Sequence, residues 1–259
     1  MGGDAESTRT DDYVGIRELA PSAMDNGESA RPMERACTMS SSVTPYLGTA
    51  RFRQGHWSAA RADLEASLAV FPSVGDQRGT AASVGVLAAL LRWSGADAEQ
   101  ADAFVQESLE LDRALGNQEG VCRDLFRVGQ FAMLGGDDAA AWGPLAESLE
   151  IAAAGGYLYW LAYLLQCFAH LVAHNDPTRA LLLAGAASAL REREGAPSSP
   201  FWHSWFDREL ASIRQILKDP RSNEVLAAGR VLSLTQATAM ALAVDVTGCQ
   251  VDPSSMDSA

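Results

Sequence analysis

The sequence predicts an all-α protein built from about four helical hairpins of roughly forty residues each, closed by a C-terminal helical cap. The first observation is a repeated phrase, ESLEL at 107–111 and ESLEI at 147–151. The second is a serine that returns at nearly the same step, at Ser67, Ser108, Ser148 and Ser188. The third is the composition: 47% of the residues are hydrophobic but only 7% are aromatic, and the abundant Ala and Leu favour helices.

The chain divides into four stretches by composition. Residues 1–43 are rich in Ser, Asp, Glu, Gly and Pro without a sustained period, which predicts a disordered leader. Residues 44–195 carry the repeats, and residues 196–245 are expected to form the cap. The composition of residues 246–259 predicts a flexible tail.

Each repeated unit has the pattern of two helices joined by a tight turn. In the second unit Val84, Leu87, Ala88 and Leu91 stand three and four positions apart, as in the apolar stripe of a helix. The next units repeat these positions with Leu125, Val128, Gly129 and Ala132, and with Leu165, Phe168, Ala169 and Val172. The turns QGHW (54–57), SGAD (94–97), GGDD (135–138) and HNDP (174–177) supply residues that end one helix and cap the next. A single hairpin cannot bury its stripe, so the pattern predicts stacked neighbours.

Two helices are predicted in the cap. The first spans Phe201 to Leu217 and carries several large apolar residues, with Pro200 suited to its first turn. The second begins at Ser233 and runs through Leu242. Ser233 with Gln236 three positions later forms a capping box, which is a helix start signal.

The order of residues in the third unit resembles a tetratricopeptide repeat. Small and apolar positions at Val128, Gly129 and Ala132 precede the turn, and Ala141 and Leu145 follow it. The resemblance implies a right-handed solenoid whose first helices line a concave groove. The unit here is about forty residues long, whereas the family's unit has about thirty-four.

Two C-terminal phrases are similar to the end of the MalT-like repeat region in large bacterial LuxR-type and related ATPase regulators. They are RALLLAGAASALRE at 179–192 and GRVLSLTQATAMALA at 229–243. The resemblance implies the sensor or interaction part of such a regulator. Because the chain has no G-x-x-x-x-G-K-[ST] and no basic helix-turn-helix after the repeats, we expect neither ATP hydrolysis nor DNA reading.

Charge and hydropathy exclude further classes. The net charge of −13 repels phosphate backbones, so direct nucleic-acid binding is not expected. The longest apolar run, from Leu158 to Ala173, contains Gln166 and His170 and predicts a buried helix instead of a membrane span. The four cysteines form no C-x-x-C pair, which predicts free thiols in the cytoplasm.

The tetratricopeptide resemblance places the candidate binding residues on the first helix of each unit. By alignment these are Arg53 in the first unit, Arg92 and Trp93 in the second, Arg123, Phe126, Gln130 and Met133 in the third, and Tyr163, Gln166, His170 and His174 in the fourth. Arginines beside aromatic rings suit a carboxylate-bearing protein or peptide partner, or an acidic small molecule. The alternative is that the arginine stems merely cover apolar surface.

The first hypothesis is therefore a noncatalytic module that binds a protein or peptide in the groove. A small-molecule sensor using the same groove is the second. The third is an enzyme with Trp202, His203 and Asp207 at its site. Cys167, His170 and His174 share one helical face at zinc-ligand spacing, but an ordinary buried helix explains them too, and no cofactor is expected.

Overall fold

The computed structural model describes residues 44–195, 200–217 and 221–243, and these ranges contain eleven helices and no strand. The helices are α1 (Thr44–Arg53), α2 (Trp57–Val74), α3 (Gln77–Ser94), α4 (Ala98–Ala114), α5 (Gln118–Leu134), α6 (Asp138–Gly155), α7 (Leu158–Val172), α8 (Pro177–Glu194), α9 (Pro200–Leu217), α10 (Ser222–Gly229) and α11 (Leu234–Leu242). The predicted all-α class is confirmed. The predicted leader and tail lie outside the described residues.

The turns between helices follow the predicted capping chemistry. Asp97, Asp137 and Asp176 each accept a hydrogen bond from the backbone N–H three residues later, which satisfies a donor that the first helical turn leaves open. Gly95 ends α3 in the left-handed conformation, with a φ of 62°. The capping box of Ser233 and Gln236 starts α11, as predicted. The helix boundaries are therefore set by local side-chain chemistry.

Consecutive helices pack on each other from α1 to α8, most extensively within the pairs α3/α4, α5/α6 and α7/α8, while α2 packs equally on α1 and α3. Contacts also join α1 to α3, α3 to α5 and α5 to α7. The odd-numbered helices are therefore neighbours of one another across the hairpins. This adjacency forms a continuous surface from α1 to α7, which we call the odd-helix surface.

The repeated apolar positions form the core. Leu145 on α6 is 0% exposed and packs against Gly129 on α5, where an added Cβ would lie 2.4 Å from Leu145 Cγ. Gly48 on α1 has the same relation to Leu64 on α2, at 2.8 Å. The small residue at this position lets the two helices of a hairpin approach closely.

A buried ionic network, which the sequence analysis did not predict, joins α4 to α5. Asp112 and Asp124 are fully buried, and Arg123 donates to both carboxylates, at 2.6 Å to Asp112 and 3.1 Å to Asp124. Arg127 donates to Asp124 at 2.6 Å. Gly85 on α3 leaves room for the network, since a Cβ there would lie 2.3 Å from the Arg127 guanidinium. Two carboxylates and two guanidiniums balance, so the network is held as a neutral unit.

Helix α10 packs mainly on α8, and α11 packs on α8, α6 and α7. Gly185 on α8 and Gly229 on α10 meet backbone to backbone, and a Cβ on Gly185 would lie 2.1 Å from the Leu226 carbonyl oxygen. Arg179 on α8 donates from its Nε to the Met240 carbonyl oxygen of α11 at 2.8 Å. Helix α10, which has eight residues, was not predicted from the sequence. No single helix in the described ranges has the length and apolar character to cross a membrane, and the pair α10 and α11, bent by 115°, has them only in combination.

Candidate functional site

Helix α9 lies on the odd-helix surface instead of stacking only on the last hairpin. The ring of Trp202 is 6.1 Å from Trp93 on α3, 5.7 Å from Phe126 on α5 and 5.3 Å from Tyr163 on α7, measured between ring centroids. One side chain of α9 therefore contacts three successive hairpins. Helix α9 was predicted as part of an end cap. It instead lies across the odd-helix surface, where the binding residues were predicted.

The residues that receive α9 define what we call the aromatic groove, namely Trp93, Phe126, Tyr163, Gln166 and His170. All five are buried. Each was a predicted groove residue, and the structure brings them together around one helix of the same chain. Aromatic pairs at these distances and tilts are energetically favourable beyond the area that they bury.

A hydrogen bond fixes Trp202 at the centre of the groove. Its indole Nε1–H donates to Gln166 Oε1 at 2.7 Å. Because the indole nitrogen only donates, the Gln166 amide must turn its oxygen toward it. The amide nitrogen then points elsewhere, and it has no hydrogen-bond partner within the described part of the chain although Gln166 is 1% exposed. A buried donor without an acceptor is unfavourable.

His170 ties α9 to two other helices. One ring nitrogen lies 2.6 Å from a carboxylate oxygen of Glu209 on α9, and the other lies 3.4 Å from Asp138 on α6. Burial lowers the pKa of His170, but the hydrogen bonds to Asp138 and Glu209 together outweigh it and raise the pKa to about 9. The imidazole is therefore a cation at neutral pH, and its centroid lies 5.7 Å from the Trp205 ring, with the two planes tilted by 47°.

The sequence of α9 explains which face it buries. Trp202, Trp205, Phe206 and Ile213 are buried and recur at helical spacing. His203 and Asp207 pair at 3.2 Å on the opposite face, where their side chains are 61% and 58% exposed. The three residues of the enzyme hypothesis therefore do not converge, since Trp202 faces the groove while His203 and Asp207 face solvent.

The predicted gripping arginines on α3 and α5 are engaged inside the protein. Arg92 donates to the Phe131 carbonyl oxygen near the end of α5 and lies over the Phe131 ring. Arg123 belongs to the buried ionic network. A guanidinium taken out of water requires partners for its charge, and these partners lie on the neighbouring hairpin or, for Asp124, on α5 itself. Neither residue presents its charge to a ligand.

Arg53 is the predicted arginine that remains exposed. Its guanidinium lies 4.7 Å from the centre of the Tyr159 ring, so α1 of the first hairpin reaches α7 of the fourth. A second arginine that the sequence analysis did not single out, Arg191 on α8, lies 5.5 Å from the centre of the Tyr163 ring. Two cations therefore stand at the rim of the groove, each over a tyrosine.

The remaining predicted residues differ in how exposed they are. Gln130 and Met133 are buried on α5, and His174 is exposed beyond the end of α7. Cys167 is fully buried, and burial raises the pKa of its thiol. Both ring nitrogens of His170 face carboxylates. Cys167, His170 and His174 therefore do not form a common set of metal ligands. Across the described ranges, no three His, Cys, Asp or Glu side chains are placed to hold a metal ion.

A recess beside the groove is lined by residues including Tyr159, Tyr163 and Arg191. It encloses about 190 Å³, which includes space open to solvent. Pockets for small molecules usually measure about 300–1,000 Å³. The recess is therefore smaller than a pocket that encloses a drug-sized ligand.

No protein-family model, curated protein or solved structure matches this chain. The site must therefore be interpreted from its own geometry. That geometry is an aromatic groove on an all-helical scaffold, filled by an amphipathic helix.

Proposed function

We propose that this protein is a noncatalytic interaction module that binds an amphipathic helix of a partner protein in the aromatic groove. The observation that carries the proposal is the seating of α9, whose apolar face lies on side chains from three hairpins. Binding an amphipathic helix in an apolar groove is a recurrent mode of protein recognition. Large aromatic anchors with a central hydrogen bond are typical of its energetic centre.

We further propose that α1–α8 form a right-handed tetratricopeptide-like solenoid of four hairpins, related to the sensor region of bacterial LuxR-type regulators. The neighbouring odd-numbered helices support this architecture. The close approach of Gly48 to Leu64 and of Gly129 to Leu145 supports the same repeat register in two hairpins. The C-terminal phrases at 179–192 and 229–243 support the relation to the regulators. The buried free thiols Cys122 and Cys167 suit a reducing cytoplasm.

A protein partner is better supported than a small molecule or a substrate. The acidic-ligand hypothesis depended on three arginines, and two of them, Arg92 and Arg123, are used within the protein. The enzyme hypothesis depended on His203 and Asp207, which lie on the solvent face of α9. The groove itself accommodates a helix, and that is the ligand its shape supports.

The test is a selection of helical peptides from a display library against the full chain. We expect enriched peptides to be amphipathic, to carry aromatic residues on one face, and to lose most of their binding on Tyr159→Ala at the rim of the groove. Glu110→Gln is the matched control, because Glu110 is exposed on α4 away from the odd-helix surface. The proposal fails if no peptide is enriched, or if both variants bind the enriched peptides equally well.

A further inference from the structure

We propose that α9 is an intramolecular ligand that blocks the aromatic groove, and that the partner helix which displaces it carries a tryptophan and a carboxylate seven positions after it. The inference rests on the proposed function, because it describes what regulates the same groove. It makes the binding of a partner a competition between two helices. It also specifies the chemistry of the partner from the contacts that α9 makes.

The aromatic contacts define the first requirement. Trp202 fills the space between Trp93, Phe126 and Tyr163, and it is 2% exposed. Trp205 and Phe206 follow at the third and fourth positions, on the same face. A competing helix therefore needs a tryptophan with apolar residues three and four positions later.

The charges around the groove define the second requirement. The His170 cation faces α9, and Glu209 of α9 contacts its ring at 2.6 Å. Asp138 on α6 shares His170 with Glu209. On a chain of net charge −13 this cation is a local exception, and it favours a helix with a carboxylate seven positions after its tryptophan.

The fit of α9 is incomplete at one atom. Gln166 Nε2 is buried and has no acceptor within the described residues. A helix that places a side-chain oxygen beside the tryptophan would satisfy this donor while keeping the indole hydrogen bond. Such a helix gains an interaction that α9 lacks, which is what a competitor for an intramolecular ligand requires.

Helices α10 and α11 have attachments to α8 that do not involve α9. Helix α10 is held on α8 by the backbone contact of Gly185 with Gly229. Helix α11 is held on α8 by Arg179 at the Met240 carbonyl oxygen. Release of α9 therefore leaves both helices with their own attachments.

The experiment measures binding of a labelled synthetic peptide of residues 200–217 to the full chain by fluorescence anisotropy. We expect Trp202→Ala in the protein to loosen α9 and to increase the peptide's affinity at least tenfold over wild type. Glu209→Gln keeps every aromatic contact and should increase affinity by about threefold. Ser212→Ala, on the exposed face of α9, should leave affinity at the wild-type value. A peptide with alanine at its own Trp202 position should not bind any of the proteins.

Equal affinity of the peptide for wild type, Trp202→Ala and Glu209→Gln overturns the inference. Circular dichroism verifies that each variant is folded. If Trp202→Ala does not fold, the peptide's affinity for Glu209→Gln decides the test. If library peptides bind wild type at the groove and the two variants do not change their affinity, α9 is no competitor but the proposed function stands. If neither the library nor the 200–217 peptide binds any variant, the groove is not a binding surface and both proposals fail.

Discussion

Gly129 and Leu145 offer a test of the hairpin packing through a double-mutant cycle. Leu145 is 0% exposed and lies against a residue that has no side chain to collapse into the vacated space. We therefore expect Leu145→Ala to destabilise the protein by ~4 kcal/mol, within the usual range for such cavities. Gly129→Ala gains about 1 kcal/mol of helix propensity, but its Cβ overlaps Leu145 at a cost of about 1–3 kcal/mol.

The double variant should be less destabilised than the sum of the single variants. In Gly129→Ala/Leu145→Ala the new methyl group occupies part of the space that the leucine leaves. We expect the coupling to recover ~2 kcal/mol, which lies within the range seen for residues in contact. Urea denaturation followed by far-UV circular dichroism measures each free energy of unfolding.

A matched control uses the equivalent leucine of the first hairpin. Leu64 is also fully buried, but its small neighbour is Gly48, not Gly129. Gly129→Ala and Leu64→Ala should therefore add to within about 0.5 kcal/mol. If the Gly129/Leu145 pair is equally additive, the two residues do not touch and the proposed repeat register is incorrect.

Two further predictions concern buried charges. His170 has a folded-state pKa of about 9, above its unfolded value, so its contribution to stability is full below pH 6.5 and is lost as the pH rises through about 9. This loss corresponds to ~3 kcal/mol. It should be absent between pH 6.5 and 9 in His170→Gln. If the free energy of unfolding has the same pH profile in the variant and in the wild type, the role assigned to Asp138 and Glu209 is wrong. Asp124→Asn should destabilise the protein by ~3–5 kcal/mol because it leaves Arg127 buried without its carboxylate. An exposed ion pair contributes less than about 1 kcal/mol to stability. If urea denaturation shows a loss of free energy of unfolding no larger than this, the network is open to water.

Much of the local structure was predictable because its causes lie within a few residues. Apolar residues three and four positions apart predicted the helices, and their burial followed in the core. The Ser233 and Gln236 box predicted the start of α11, since a capping box needs only neighbouring backbone donors. Helix α10 escaped prediction because it has only eight residues and Arg221 provides no side-chain cap.

The residues of the candidate site could be predicted from the sequence, but the occupation of the groove by α9 could not. Trp93, Phe126, Tyr163, Gln166 and His170 were all singled out through the resemblance to tetratricopeptide repeats, and the structure gathers them at one place. Their occupation by α9 had a signal, the helical spacing of Trp202, Trp205 and Phe206. That spacing shows that a helix buries one face, but it does not show which surface receives it.

The sequence by itself determined the all-α class, the turns and the step of the repeat, because hydrophobic spacing and caps act over three or four residues. The tertiary structure alone decided where the long side chains go. Arg92 finds its acceptor 39 residues away, and Gln166 meets Trp202 36 residues away. Such contacts depend on how curved the stack of hairpins is and on which apolar face needs cover. Those are properties of the whole packed chain, and they turned a predicted open groove into a filled one.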